Sequence, residues 1–236
     1  MAKPKVTAIV LAGGKGSRMH SETPKQYLPL LGKPVLFYSL SAFAQSEADE
    51  IILVTASGEE DYCKKEIIEK YGIQKVAAVV AGGRERYHSV YCGLLAASDA
   101  DYVLIHDGAR PLISVPVINT SINKVKETGA CVVGMPVKDT IQLVDDEGRI
   151  TETPVRSRTW IAQTPQCFSY KTAVSSYNNV IEAEDTSVTD DAMVVRKYAG
   201  VSVYMIEGSY ENIKITTPED IRVAEEFLAA RDGNVN

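Results

Sequence analysis

Short runs of β-branched residues alternate with segments of helical period from Val6 to Met135, and no other feature restricts the possible folds as much. Val6–Leu11 reads as a buried strand ending at Gly13-Gly14. Val35–Gln45 places Leu36, Leu40 and Phe43 on one helical face. Ile51–Val54 is a second strand, followed by the charged helix Glu59–Tyr71. Val76–Val80 is a third, ending at Gly82-Gly83 and followed by the helix Arg86–Ala97. Tyr102–Ile105 runs into His106-Asp107, Val117–Lys126 turns Ile118, Ile122 and Val125 inward, and Cys131–Met135 is a fifth strand. Strands that alternate with helices predict an α/β chain with a Rossmann-like, mostly parallel sheet covered on both faces. Ligands of such sheets bind beyond the carboxyl ends of the strands. The loops 12–18, 82–89 and 106–111 fall at those ends.

The alternation stops after Val137. Thr140–Val155 reads as two strands around Asp145-Asp146-Glu147-Gly148. An isolated hairpin is marginal in water, so residues 138–158 are expected to form a β-arm that clasps a second subunit. Near the C-terminus, Thr217-Pro218-Glu219-Asp220 starts a helix, with Thr at N-cap, Pro at N1 and an acid at N3. Ile221, Ala224 and Leu228 mark its buried face. No repeat or linker divides the 236 residues, which predicts one domain.

Composition removes several classes. The net charge of −6 disfavours duplex nucleic acid as a partner. No stretch approaches the about 20 apolar residues of a membrane span, and the N-terminal apolar run is too short for a signal peptide. Cys63, Cys92, Cys131 and Cys167 have neither zinc nor C-x-x-C spacing, which fits reduced thiols in the cytoplasm. The expectation is a soluble cytoplasmic protein, with neither nucleic acid nor membrane as partner.

The first loop carries chemistry. Ala12, Gly13, Gly14, Lys15 and Gly16 follow the first strand, with Arg18 close behind and Lys25 seven residues further on. Glycines let backbone amides approach an anion, and successive amides cradle phosphates. The Walker pattern is absent, and Gly14-Lys15-Gly16-Ser17-Arg18-Met19 breaks the dinucleotide fingerprint at Met19. An ordinary glycine-rich βα turn would also read this way. Two cations flanking the turn point instead to a triphosphate attacked at its α-phosphorus, where charge accumulates in the transition state. At Asp107, a carboxylate can hold Mg²⁺ against phosphate oxygens, or it can cap the next turn or pair with Arg110. Arg156 reads as a solvated arm residue or an anion ligand, and Lys214 as a solvent-facing lysine or a second one.

LAGGKGSRM followed by PKQY resembles the GT-A-like nucleotidyltransferases. GGRERYHSV (82–90), HDGARP (106–111), PVKDT (136–140), RSRTWIAQTPQ (156–166), TDDA (189–192) and EGSYENIKITTPED (207–220) narrow the resemblance. Together these segments resemble the methylerythritol-phosphate cytidylyltransferase family of the non-mevalonate isoprenoid pathway, over residues 6 to 228. The resemblance implies CTP and a small polyol phosphate as substrates and Mg²⁺ as cofactor. It also implies a homodimer whose arms lend residues to the partner's site. It assigns Arg18 and Lys25 to transition-state stabilisation. Arg156, Lys214, Asp107 and Thr140 fall to the acceptor, and Ala12, Gly13, Gly83 and Ser89 to the nucleotide, with Gly14, Lys15 and Gly16 cradling its phosphates. Asp107 and Glu211 are the candidate metal ligands. Arg84 departs from the Asp frequent in the family, and LAGG replaces its frequent PAAG. Alternatives are a ribitol-5-phosphate cytidylyltransferase, a hexose-1-phosphate nucleotidyltransferase and a silent nucleotide sensor. The presence together of Arg18, Lys25, Asp107, Arg156 and Lys214 argues against silence.

Overall fold

A computed structural model describes residues 3–14, 16–19 and 21–233. The chain forms β1 (Val6–Ala12), a tight hairpin of β2 (Pro29–Leu30) and β3 (Lys33–Pro34), α1 (Val35–Gln45) and β4 (Glu50–Thr55). Next come α2 (Glu60–Tyr62), continued as a π-helical stretch over Cys63–Glu69, then β5 (Val76–Ala81), α3 (Arg86–Ala96), β6 (Tyr102–Asp107), α4 (Val115–Thr128) and β7 (Ala130–Pro136). The arm strands β8 (Leu143–Val144) and β9 (Ile150–Glu152) precede β10 (Trp160–Ser169), α5 (Tyr170–Glu182), α6 (Asp191–Ala199), β11 (Tyr204–Glu207) and α7 (Pro218–Gly233).

Seven strands form one sheet in the order β11-β7-β10-β6-β1-β4-β5. All neighbours are parallel except β10, which runs antiparallel to both β6 and β7. The architecture is therefore Rossmann-like and mostly parallel, as the alternation predicts. The pleat sorts β1 between two cores. Val6, Ala8, Val10 and Ala12 pack with Leu36, Leu40, Phe43 and Ile122 on one face. Ile9 packs with Val90, Leu94, Phe168 and Tyr177 on the other. Each fully buried aliphatic side chain contributes about 1.5–3 kcal/mol, so continuous apolar runs are stable only with helices on both faces.

Two C-terminal elements bear directly on the site. The β10 register shifts between Ala162 and Gln166, and the intervening bulge carries Thr164 to the end of β6, where its Oγ1 accepts from the Asp107 N–H (3.1 Å). The helix α7 begins at Pro218 with Asp220 Oδ2 accepting from the N–H groups of Thr216 (2.7 Å) and Thr217 (2.8 Å). That bond from N-cap to N3 acid is the one anticipated from the sequence.

The arm is short and open. Gly148 at φ +79° and the Asp145–Arg149 ion pair close its turn. Leu143, Val144, Ile150 and Val155 stay exposed. All four cysteines are free thiols, three of them buried and Cys92 half-buried. Among the described residues, no helix is long and apolar enough to cross a membrane.

Candidate active site

The carboxyl ends of β1, β4, β5 and β6 surround a cavity of about 690 Å³. Ala12, Gly13 and Gly14 form one wall, and Gly83 and Ser89 form another. Gly83 has no room for a side chain, since a Cβ there would lie 2.3 Å from the His88 Cβ. Its N–H donates to Ser89 Oγ (3.2 Å), tying the loop to the first turn of α3. The N-terminus of α3 opens at this wall and is closed by a capping box, in which the Glu85 side chain accepts from the His88 N–H and His88 Nδ1 accepts from the Glu85 N–H (3.3 Å). Arg84 stands exposed at the rim. A second concavity, of about 880 Å³, lies beside β7, β11 and α6 and contains none of the residues anticipated from the sequence.

Lys25 enters the first cavity on a 3-10 turn over Lys25–Tyr27. Gln26, almost fully buried, donates from Nε2 to the Ala12 carbonyl (2.6 Å), and Tyr27 donates to Glu59 (2.7 Å). Gly16 makes the necessary space. At φ +60° its missing Cβ would sit 3.2 Å from the Lys25 side chain. The Lys25 ammonium donates to the Ile215 carbonyl (2.9 Å). Burial, then the nearby Lys214 and Arg18 charges, push its pKa down to about 8 against the opposing pull of Asp107. A half-buried ammonium with one carbonyl partner is poised for an incoming anion.

Asp107 closes the cavity from β6. Burial alone would raise its pKa, but three cations hold it well below the usual carboxylate range. Lys214 Nζ lies 2.9 Å away, Arg86 Nη2 3.5 Å and Arg110 Nε 3.9 Å. Arg86 is itself fixed from behind by a bidentate pair with the fully buried Asp191 (2.6 and 2.8 Å). Tyr177 donates to the same carboxylate. The neighbouring His106 is fully buried, and burial lowers its pKa to about 3, so the imidazole is neutral.

The structure thus gathers Ala12, Gly13, Gly14, Lys25, Gly83, Ser89, Asp107 and Lys214 around one cavity. Arg18 is exposed on the turn Ser17–Met19, with its charge felt by Lys25. Lys15 lies outside the described residues. Arg156 and Thr140 meet at the arm's base, where Arg156 Nη2 donates to Thr140 Oγ1 (3.1 Å), and neither lines this cavity. Glu211 departs from its expected role. Its carboxylate takes two hydrogen bonds from Arg231 (3.0 and 2.7 Å) and fastens α7, away from the cavity lining. Among the described residues, no three His, Cys, Asp or Glu side chains cluster as a metal cage. Of the two carboxylates that line the cavity among the described residues, Asp107 and Glu85, Asp107 is the one paired with Lys214. That donor set fits Mg²⁺, which needs one or two carboxylates plus substrate phosphates and water.

Several contributors escaped the sequence reading: Gln26, Arg86, Asp191, Thr164, Asn212 and the Ile215 carbonyl. All of them lie inside quoted motifs, yet nothing in the linear order says that Asp191 reaches Arg86 across 105 positions.

A glycine-rich turn after the first strand of a Rossmann-like sheet, opposed by Lys25 and Lys214, is the arrangement that the resemblance to the nucleotidyltransferases implies. Comparison with known proteins narrows the class. The family described as IspD, 2-C-methyl-D-erythritol 4-phosphate cytidylyltransferase, matches residues 6–230, and the chain belongs to that family. A relative of that description from Lachnoclostridium phytofermentans is 50% identical over 224 residues, covering 95% of this chain and 96% of its own. Another, from Alkaliphilus oremlandii, is 48% identical over 229 residues and covers 96% of each chain. The solved 4-diphosphocytidyl-2C-methyl-D-erythritol synthase of Anaerococcus prevotii superposes with a TM-score of 0.84 at 33% identity, covering 96% of both chains.

Proposed function

We propose that the chain converts CTP and 2-C-methyl-D-erythritol 4-phosphate to 4-diphosphocytidyl-2-C-methyl-D-erythritol and pyrophosphate, with the roles divided as follows. A phosphate oxygen of the acceptor bonds to the α-phosphorus of CTP, and the bond from that phosphorus to the bridging oxygen of the β-phosphate breaks. The electron pair leaves with pyrophosphate. The attacking phosphate is already ionised, so no general base is required. Lys25 and Arg18 stabilise the charge that grows on the α-phosphoryl oxygens and the leaving group. The amides of Ala12 to Gly16 cradle the triphosphate, and Gly83 and Ser89 border the nucleoside. Lys214 orients the acceptor phosphate beside Asp107. Bound Mg²⁺, held by Asp107 and the triphosphate, would neutralise phosphate charge.

The observation that carries this reading is the convergence of Lys25, Lys214 and Asp107 at the mouth of the glycine-rich turn. Ribitol phosphate and hexose 1-phosphate acceptors are not favoured, because the matched family spans nearly the whole chain. Free thiols and the nucleotide substrate suit a cytoplasmic setting.

The arm supplies the second half of the site. Arg156 and Thr140 pair with each other outside the chain's own cavity, and the arm exposes Leu143, Val144 and Ile150. In a homodimer clasped through these arms, Arg156 and Thr140 of one protomer grip the acceptor at the site of its partner. Mixing two inactive variants tests this. A heterodimer of Lys25→Ala and Arg156→Ala contains one intact composite site. Random exchange should restore about a quarter of wild-type activity if the site is shared. No restoration after proven exchange refutes sharing.

A further inference from the structure

A closed ring of four hydrogen bonds joins three segments that meet only at the end of β6. The Arg110 carbonyl lies 3.4 Å from His106 Nε2. The other imidazole nitrogen, Nδ1, lies 3.0 Å from Thr164 Oγ1 on the β10 bulge. The Thr164 carbonyl accepts from Asn212 Nδ2 (3.0 Å), and the Asn212 carbonyl accepts from Arg110 Nη1 (2.8 Å).

The ring has a direction. A carbonyl oxygen only accepts, so the Arg110 contact requires a proton on Nε2. The ring is fully buried and its hydrogen-bond partners are a carbonyl and a hydroxyl, not a carboxylate, so it holds a single proton; Nδ1 is then the acceptor, and Thr164 must donate its hydroxyl proton to it. The hydroxyl oxygen keeps its lone pairs for the Asp107 N–H, 3.1 Å away. His106 is sealed among core atoms and packs against the Phe43 ring at 5.0 Å.

Two of the three segments bound into the ring carry a group of the site, and the third, at Thr164, holds one of those groups by its backbone. Asp107 hangs on Thr164 through its own N–H. Two residues beyond Asn212 stands Lys214, whose ammonium lies 2.9 Å from Asp107. Ile215 donates its N–H to the Ala109 carbonyl (2.8 Å) and accepts from Lys25 (2.9 Å). The spacing of Asp107, Lys214 and Lys25 is therefore set by backbones that the ring clamps together. Ser39 Oγ also donates to the Arg110 carbonyl (3.1 Å), so that corner keeps a tether without His106. The Thr164 hydroxyl has no comparable substitute acceptor among the described residues.

We infer that His106, as a neutral imidazole protonated on Nε2, is a positioning residue for the cytidylyl transfer: it orients the Thr164 hydroxyl and through it holds Asp107 against Lys214. The inference rests on the reading of Asp107, Lys214 and Lys25 given above. His106 touches no substrate in this role and exchanges no proton with one.

Two measurements on the full-length protein test it. The first needs no turnover. With ¹⁵N-labelled histidine, His106 should show a protonated Nε2 and an unprotonated, hydrogen-bonded Nδ1, and Thr164→Val should move the Nδ1 resonance to that of an unbonded ring nitrogen while Nε2 keeps its proton. A proton on Nδ1, or averaging between tautomers in the wild type, overturns the ring. The second is a double-mutant cycle with His106→Phe and Thr164→Val in the pyrophosphate-release assay. Each single change should lower kcat on the order of 10- to 100-fold, as misplacement by a fraction of an ångström does, with the KM for CTP changed less. Because the two residues act through one bond, the double variant should be no slower than the slower single. Losses that multiply overturn the proposal. Thr164→Ser keeps the hydroxyl and should retain the tautomer and most of the turnover. A loss in Thr164→Ser equal to that in Thr164→Val overturns it, even if the valine variant folds poorly. An inactive wild type with the expected tautomer would instead count against the assigned reaction and leave the ring intact.

Discussion

Raising the pH from 7 to 9 should lower kcat/KM for CTP about 10-fold while leaving kcat almost unchanged. Burial, Lys214 and Arg18 bring the pKa of Lys25 down to about 8 in the free protein. The charged form therefore falls from about 91% at pH 7 to about 9% at pH 9, and only the charged form offsets developing phosphate charge. Occupied by triphosphate, the same lysine faces anionic oxygens. At about 4 Å and an effective dielectric near 20, one unit charge is worth about 4 kcal/mol, or about 3 pKa units in favour of the ammonium. The alkaline limb of kcat should accordingly lie beyond pH 10. The profile of kcat/KM reports the free protein and that of kcat the complex, so the two should separate. Initial rates of pyrophosphate release between pH 6.5 and 10, at saturating acceptor, give both curves. Lys25→Arg provides the control, because a guanidinium does not titrate in this range. An alkaline limb that survives in Lys25→Arg, or a wild-type kcat/KM that stays flat to pH 10, refutes the reasoning.

Other expectations follow from single contacts. Lys25→Ala should cut kcat by about 10²- to 10³-fold with a smaller effect on the CTP constant, as removal of one preorganised donor does. Equal losses in both would make Lys25 a ground-state ligand only. Arg156→Ala should raise the KM for the acceptor on the order of 30- to 100-fold, so that it is nearly inactive at low acceptor concentration, and leave that for CTP unchanged; an unaltered acceptor constant would remove Arg156 from the site. Asp191→Ala strips the half-buried Arg86 of its bidentate partner and Tyr177 of its acceptor. It should destabilise the fold by about 1–3 kcal/mol, read from urea unfolding, since the fully buried Tyr177 hydroxyl is left without its acceptor while Arg86 keeps Asp107 at 3.5 Å.

The parallel half of the fold was legible because its signals are local. A strand buried on both faces is a continuous apolar run, and Val6–Leu11 or Cys131–Met135 announces itself without knowledge of its neighbours. The start of α7 was equally legible, since Thr217, Pro218 and Asp220 satisfy a helix terminus by themselves. By contrast β10 was not read as a strand. Its polar run through Gln163, Thr164, Pro165 and Gln166 breaks the period at the bulge, and those polar residues are buried only because partners arrive from β6, α6 and the loop after β11. The site divides the same way. Glycines and basic residues of the first loop point to phosphate by type and spacing. Glu211 had the right chemistry for a metal, but Arg231, 20 residues away, captures it. Gln26 and Asp191 are invisible without the fold, because each works through partners distant in sequence, the Ala12 carbonyl for one and Arg86 with Tyr177 for the other.

The most direct test of the account is pyrophosphate release by the purified protein with CTP and Mg²⁺, offered 2-C-methyl-D-erythritol 4-phosphate and ribitol 5-phosphate in parallel. The expected result is rapid release with the methylerythritol phosphate and little with ribitol phosphate, lost on omission of CTP. Release with ribitol phosphate alone, or none with either acceptor, would contradict it.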